Sequence, residues 1–121
     1  MHEQMTRVAV CAIALATAAA TAASAETRLR VRNDSAQPAE ITVDKKSRDV
    51  RPRKASNFPL TSPTADLKVA FANGDVNYGE IDVGPFLPVQ TDEGDTYYCM
   101  TLDTEDFNIL PQEICAEWVK K

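Results

Sequence analysis

The chain has 121 residues, of which 44 % are apolar and 26 % charged, with three cysteines, one histidine and a formal net charge of −5. Residues 1–25 differ from the rest, because they hold ten alanines and only two charged residues, Glu3 and Arg7. The remaining 96 residues are enough for one small domain with one core. That length excludes a two-domain enzyme and a nucleotide-binding fold with its own substrate domain.

Residues 1–25 have the three parts of a secretion signal. A short charged start precedes the apolar run 8–20, and Ala23-Ser24-Ala25 supplies the small residues that a signal peptidase needs. We expect cleavage after Ala25, which leaves residues 26–121 as a single exported domain without a transmembrane anchor. A retained anchor is the alternative, but the run is mostly alanine and lacks a basic stop signal.

The signal also sets the expected location. Its richness in alanine indicates a bacterial periplasm as the destination. In a eukaryotic secretory pathway the protein would be extracellular, and Asn33-Asp34-Ser35 would be a glycan acceptor.

Cleavage would change which reactive side chains remain. Cys11 and the lone His2 would be lost, and Cys99 and Cys115 would be the two remaining cysteines. An even pair in an oxidising compartment predicts one disulfide, which for a loop of this size stabilises the fold by about 3 kcal/mol.

Alternation of apolar and polar residues with period two predicts strands along the rest of the chain. Asn73-Gly74 is a strong hairpin signal, because this dipeptide tolerates positive φ in a tight turn. The spacing predicts an all-β fold, a small antiparallel β-sandwich of about seven strands with immunoglobulin-like or Greek-key connections. The predicted strands are residues 28–32, 40–44, 55–60, 67–72, 78–83, 96–102 and 114–119.

The string Asp95-Thr96-Tyr97-Tyr98-Cys99 resembles the late strand of an immunoglobulin variable domain, where a tyrosine stands two residues before the second cysteine. The family's earlier cysteine and intervening tryptophan have no counterparts, because Cys115 and Trp118 both follow Cys99. The resemblance implies a β-sandwich and no antigen recognition, and it assigns the chain to no family.

Without histidine or a free thiol, the exported domain lacks the commonest general base and nucleophile pairings, which predicts a non-enzyme. A small glycoside hydrolase is the alternative, because Glu80 and Asp82 place two carboxylates on one face of a predicted strand.

No metal or cofactor is expected. Weak calcium binding in an acidic loop is the alternative, because calcium prefers oxygen ligands. The two acidic clusters are Asp92, Glu93 and Asp95, then Asp103, Glu105 and Asp106.

Charge is distributed unevenly along the exported domain. Residues 26–68 carry a net charge of +4, whereas residues 69–121 carry −9. The basic run within the first part is a candidate surface for phosphate, anionic lipid or acidic glycans, and compensation by acidic strands of the same chain is the alternative. Nucleic acid is disfavoured, because no aromatic residues interrupt the run. The candidate basic patch is Lys45, Lys46, Arg48, Arg51, Arg53 and Lys54.

The segment between the two cysteines is the candidate binding loop. A cross-linked loop loses less entropy on binding, and an acidic one favours a basic partner. Packing of its apolar residues as a further strand or as a cap is the alternative. The candidate residues are Glu105, Asp106, Phe107, Ile109 and Leu110.

These observations predict a secreted, non-catalytic β-sandwich that binds another protein, a cationic one in the sharper version, as an inhibitor of a hydrolase does. A structural or accessory subunit of a cell-envelope assembly is the alternative, because the oppositely charged halves would pair between copies.

Overall fold

The computed structural model describes residues 26–120. The predicted signal peptide, with Cys11 and His2, lies outside these residues. The described part is built mainly from strands in two sheets, as an all-β chain requires. Its elements are β1 (Thr27–Asn33), β2 (Ala39–Val43), β3 (Lys46–Val50), β4 (Ala55–Pro59), β5 (Thr64–Phe71), β6 (Val76–Asp82), β7 (Val89–Gln90), β8 (Thr96–Leu102), β9 (Phe107–Ile109) and α1 (Gln112–Lys120).

The first sheet has the order β4-β1-β8-β7, and β9 also pairs with β8. Strands β1 and β8 run parallel, with Leu29 opposite Tyr98 and Val31 opposite Met100. The other strand pairs of residues 26–120 are antiparallel. The prediction of a purely antiparallel arrangement is therefore wrong at β1 and β8.

The second sheet has the order β3-β2-β5-β6, and each neighbouring pair is antiparallel. The hairpin between β5 and β6 turns at Asn73-Gly74, as the sequence predicts, and Gly74 has a φ of 101° that favours glycine. Strands β3 and β6 form the two outer edges of this sheet, so each has one side without a strand partner in the described chain.

One hydrophobic cluster takes side chains from both sheets. Leu29, Val31 and Phe58 come from the first sheet, whereas Ile41 and Ile81 come from the second, and all five are fully buried. Their alternation with polar residues along each strand places the apolar side chains on one face of each sheet. The alternating sequence pattern therefore identifies this core correctly.

The segment predicted as the last strand, residues 114–119, is a helix. Pro111 stops further pairing after β9, and the backbone N–H of Cys115 donates to the Pro111 carbonyl (3.0 Å). Apolar residues recur four positions apart, at Ile114 and Trp118 and at Cys115 and Val119. The two adjacent apolar pairs would point to opposite faces of a strand, whereas four residues spaced in this way share one face of a helix.

The predicted disulfide between Cys99 and Cys115 is present and joins the outer face of β8 to α1. Both cysteines are buried. Within residues 26–120, α1 is the only helix, and it is too short to cross a membrane.

Candidate functional site

The turn between β8 and β9 is organised by one carboxylate. Oδ1 of Asp103 accepts hydrogen bonds from the backbone N–H groups of Glu105 (2.8 Å) and Asp106 (2.9 Å). These two bonds hold the pKa of the Asp103 carboxyl below its ordinary value, because they stabilise its charged form. The bond from Asp106 lowers the pKa the most. The side chains of Glu105 and Asp106 remain exposed.

The apolar residues of the predicted binding loop turn toward the protein. Phe107 and Ile109 belong to β9, which pairs with β8, and both pack against the core cluster. Leu110 is half-buried, and its N–H donates to the Cys99 carbonyl (2.9 Å). The loop thus packs as a further strand, the alternative raised by the sequence, and its exposed part consists of acidic and polar residues.

A groove of about 180 Å³ opens between edge strand β6 and the β8–β9 turn. Asn77 donates from Nδ2 to the Thr104 carbonyl (2.8 Å) and ties the turn to β6. Tyr78, 77 % exposed, stands beside the groove. The floor is apolar and the rim acidic: Leu67, Val69, Leu102 and Phe107 lie below, and Asp103, Glu105 and Asp106 lie at the edge.

No family model matches this chain, and no curated protein matches it in sequence. The site is therefore interpreted from its own chemistry. An apolar floor with a carboxylate rim suits a long side chain that ends in a positive charge, because lysine and arginine pack their methylene stems on apolar surface while the charged head stays at the rim.

The acidic rim is reinforced by the charge around it. Between Val69 and Val119 the sequence contains no basic residue. Glu80 and Asp82, the carboxylates considered for hydrolysis, are both exposed on the outer face of β6. The groove and the outer face of its edge strand therefore carry one sign of charge.

The candidate basic patch lies at the opposite edge of the second sheet. It begins in the turn before β3, runs along that strand and continues to the start of β4, and all six of its side chains are exposed. None of the six forms an ion pair with a described acidic residue, although Arg48 lies over the Phe58 ring with 5.8 Å between Cζ and the ring centroid. The structure thus separates the basic patch from the acidic groove by the width of the sheet.

Sequence reasoning missed a row of arginines on the outer face of the first sheet. Arg28, Arg30 and Arg32 alternate along β1, and the pattern alone indicates only a solvated face. Arg32 lies over the Trp118 ring at 4.4 Å, and Arg30 donates to the Trp118 carbonyl (3.0 Å). This row fastens α1 to the sheet, and no single sequence pattern marks it, because its partners come from opposite ends of the domain.

Arg28, at the start of the same row, bonds to β8 and to the loop before it. Its guanidinium donates to the Tyr97 hydroxyl (3.0 Å) and to Oδ2 of Asp95 (3.0 Å). The bond to Tyr97 is the main cause that raises the pKa of Arg28 above its ordinary value. Asp95 is thus engaged in an ion pair, and among residues 26–120 no three acidic, cysteine or histidine side chains are grouped as a metal site would require.

The potential glycan acceptor Asn33 is fully buried. Both hydrogens of its side-chain nitrogen are used, one to the Gln37 carbonyl (2.7 Å) and one to the Val50 carbonyl (2.9 Å). Its Oδ1 accepts from the N–H and the hydroxyl of Ser35. A glycan on that nitrogen is incompatible with this arrangement.

Proposed function

We propose that the protein is a secreted, non-catalytic β-sandwich binding module whose acidic groove engages a cationic protein. One observation carries this proposal: the groove combines an apolar floor with three rim carboxylates, next to an exposed tyrosine. Buried apolar contact with flanking opposite charge is the arrangement that gives both affinity and orientation at a protein interface. A cationic hydrolase such as a lysozyme is the type of partner that suits it.

The sandwich interpretation is part of this proposal. It is supported by the core cluster, to which both sheets contribute, and by the position of β9 of the first sheet over Gly79 of the second. A rigid two-sheet scaffold would hold the groove in one shape before binding, which reduces the entropy lost when a partner docks.

Export to the periplasm is proposed from two features. The charge and apolar pattern of residues 1–25 is typical of a signal peptide, and disulfides persist mainly in oxidising compartments. N-terminal sequencing of the protein recovered from a periplasmic extract should begin at Glu26. Recovery only from the cytoplasm, with residue 1 retained, would contradict export.

The binding proposal is tested with lysozyme as the cationic probe, by calorimetry against the purified, disulfide-bonded protein. Glu105→Gln with Asp106→Asn should weaken binding by about tenfold or more, because two rim charges that face the partner are removed. The matched control is Asp92→Asn with Glu93→Gln, which removes the same charge from exposed residues at the other end of β8.

The control variant should bind nearly as tightly as the unmodified protein. Equal weakening in both variants would mean that net charge alone attracts lysozyme, and the groove would then have no special role. If lysozyme and other cationic proteins, histones among them, fail to bind at low ionic strength, the proposal is wrong.

A structural subunit of an envelope assembly is the second candidate function. It is favoured by the opposite charge at the two edges of the second sheet, where exposed Lys45 and Lys46 mark one edge and exposed Glu80 and Asp82 the other. Copies with such edges attract one another in a fixed orientation.

A further inference from the structure

Strand β6 has a free side whose backbone groups can be identified. At one end of the β5–β6 ladder the N–H of Phe71 donates to the Asp75 carbonyl (2.8 Å), and at the other end the N–H of Val83 donates to the Pro63 carbonyl (2.9 Å). Because backbone bonds alternate between the two sides of a strand, the odd-numbered residues of β6 bond to β5. The N–H and C=O groups of the even-numbered residues therefore face away from the sheet: Val76, Tyr78, Glu80 and Asp82.

Strand β3, at the other edge, has a free side of the same kind. The N–H of Asp44 donates to the Asp66 carbonyl (2.8 Å), and that of Ala72 donates to the Pro38 carbonyl (2.9 Å). In β2 and the residue on either side of it, the backbone groups of the even-numbered residues therefore bond to β5, and those of the odd-numbered residues bond to β3. Since Ile41 is opposite Arg48, the backbone groups of Ser47 and Asp49 face away from the sheet.

The two free edges differ in charge. Exposed edge strands are templates for pairing, and charged side chains are the usual protection against it. Residues 76–82 carry a net charge of −2 and residues 45–51 a net charge of +3, so two like edges repel each other. When β3 of one copy lies against β6 of another, the opposite charges attract. Charge repulsion therefore protects each edge against its own kind but not against the other edge.

We propose that β3 of one copy of the protein adds to the free edge of β6 of a second copy. The inference rests on the second candidate function, because it names the two edges through which copies of the chain pair. Strand directions support it: β3, β2, β5 and β6 alternate in direction, so β3 and β6 are opposed. A second copy in the same orientation therefore presents an antiparallel strand, and the inner faces of the two sheets stay on one side.

The pairing has a preferred register. Side chains directly opposite each other share a face of the sheet. Glu80 can therefore stand opposite Ser47, or opposite one of the charged residues Lys45 and Asp49. Placing Glu80 opposite Ser47 sets Asp82 opposite Lys45 and avoids the repulsion between Glu80 and Asp49. It also overlaps residues 76–82 with residues 45–51 over their whole length.

The same register brings a basic side chain of the added strand to the acidic groove. On the inner face it places Arg48 of the added strand opposite Gly79, beside the Phe107 ring and the acidic rim of the β8–β9 turn. For this contact the guanidinium of Arg48 leaves the Phe58 ring of its own copy, over which it lies in the single chain. The cationic side chain that suits the groove is thus supplied by the same strand that supplies the backbone hydrogen bonds.

The contact is heterologous, because the two surfaces involved are different. Each added copy leaves one free β3 edge and one free β6 edge at the ends of the assembly, so growth continues beyond the dimer. Sedimentation velocity of the purified, disulfide-bonded protein should show species larger than dimers at about 0.02 M salt and monomer at about 0.5 M, where exposed charges are screened.

Charge reversal at each edge tests the pairing. Glu80→Lys with Asp82→Lys makes both edges basic, and Lys45→Glu with Lys46→Glu makes both acidic. Each variant alone should lose association by about tenfold or more, and an equimolar mixture should recover it, because each variant then supplies the edge the other lacks. Failure of the mixture to associate, with both variants folded by circular dichroism, overturns the proposal.

A proline test separates strand addition from general charge attraction. Ser47→Pro removes an N–H that faces the free edge and leaves the bonds to β2, whereas Ser47→Ala removes only the side chain, whose hydroxyl lies 2.7 Å from that of Thr42. The proline variant should be monomeric and the alanine variant should associate. If Ser47→Pro does not fold, Tyr78→Pro against Tyr78→Ala makes the same comparison at the other edge.

Association that persists in the proline variants overturns strand addition. A protein that stays monomeric at low salt but binds lysozyme through Glu105 and Asp106 refutes this inference and leaves the proposed function intact. A protein that neither associates nor binds a cationic probe refutes both.

Discussion

The ring of Phe107, in β9 of the first sheet, lies against Gly79, in β6 of the second. A Cβ atom at position 79 would stand 2.8 Å from Cε2 of that ring, a distance that side chains do not adopt. The glycine is therefore required by a contact between sheets. The same ring of Phe107 lines the acidic groove.

Gly79→Ala should destabilise the protein by about 1–3 kcal/mol, because the added methyl overpacks the contact with Phe107. Urea unfolding followed by circular dichroism measures this cost. In a Phe107→Leu background the same substitution should cost clearly less, since the ring that it meets is gone. An equal cost in both backgrounds would show that the ring is not the cause.

Asn33 is the buried polar residue on which the β1–β2 loop depends. Its replacement by alanine removes the amide bonds to the Gln37 and Val50 carbonyls and leaves the buried Ser35 N–H without its acceptor, and we expect a loss of about 2–4 kcal/mol in the free energy of unfolding. Thermal and urea unfolding would measure it.

The matched control for that substitution is Asn73→Ala. Asn73 makes the same kind of side-chain contacts, accepting from the N–H of Asp75 and donating to its carboxylate, but it does so in an exposed turn. Water replaces these bonds when they are lost, so the expected cost is below about 1 kcal/mol. Comparable costs at the two positions would contradict the importance of burial at Asn33.

Short-range patterns in the sequence predicted those parts of the fold that neighbouring residues determine. Alternation located the strands that carry Leu29, Ile41 and Val69, since a half-buried strand imposes period two. The hairpin at Asn73-Gly74 and the disulfide followed from backbone freedom and from cysteine pairing. Strand β3 was missed, because it is an edge strand with Val50 as its one buried side chain and shows no alternation.

The site was predicted only in part, for a related reason. The acidic turn was visible because its carboxylates are consecutive, but the groove floor needs Leu67 and Val69, which lie far away in the chain and face Phe107 only after folding. The helix that contains Cys115 was interpreted as a strand, although its apolar residues share one helix face, because nine residues give this pattern only two turns in which to repeat. Long-range pairing, not composition, decides these features.

The disulfide should matter mainly for α1. Removing it with Cys99→Ala and Cys115→Ala should cost about 3 kcal/mol, the value for a closed loop of 16 residues. Because Trp118 is the single tryptophan and lies against Arg32, its fluorescence should shift if α1 leaves the sheet. Reductant should reproduce the shift in the unmodified protein and have no effect on the double variant.

Asp103 should make stability depend on pH in the acidic range. Its folded pKa lies below its unfolded value, because the N–H groups of Asp106 and Glu105 stabilise the carboxylate. The stabilisation is therefore present above the unfolded pKa and is lost as the pH falls through the folded pKa. Asp103→Asn keeps an acceptor oxygen but not the charge, so its free energy of unfolding should lie below that of the unmodified protein at pH 7. The difference should shrink as the pH falls below about 4. Urea titrations across this range measure the difference, and one that stays constant with pH would contradict the role of the Asp103 charge.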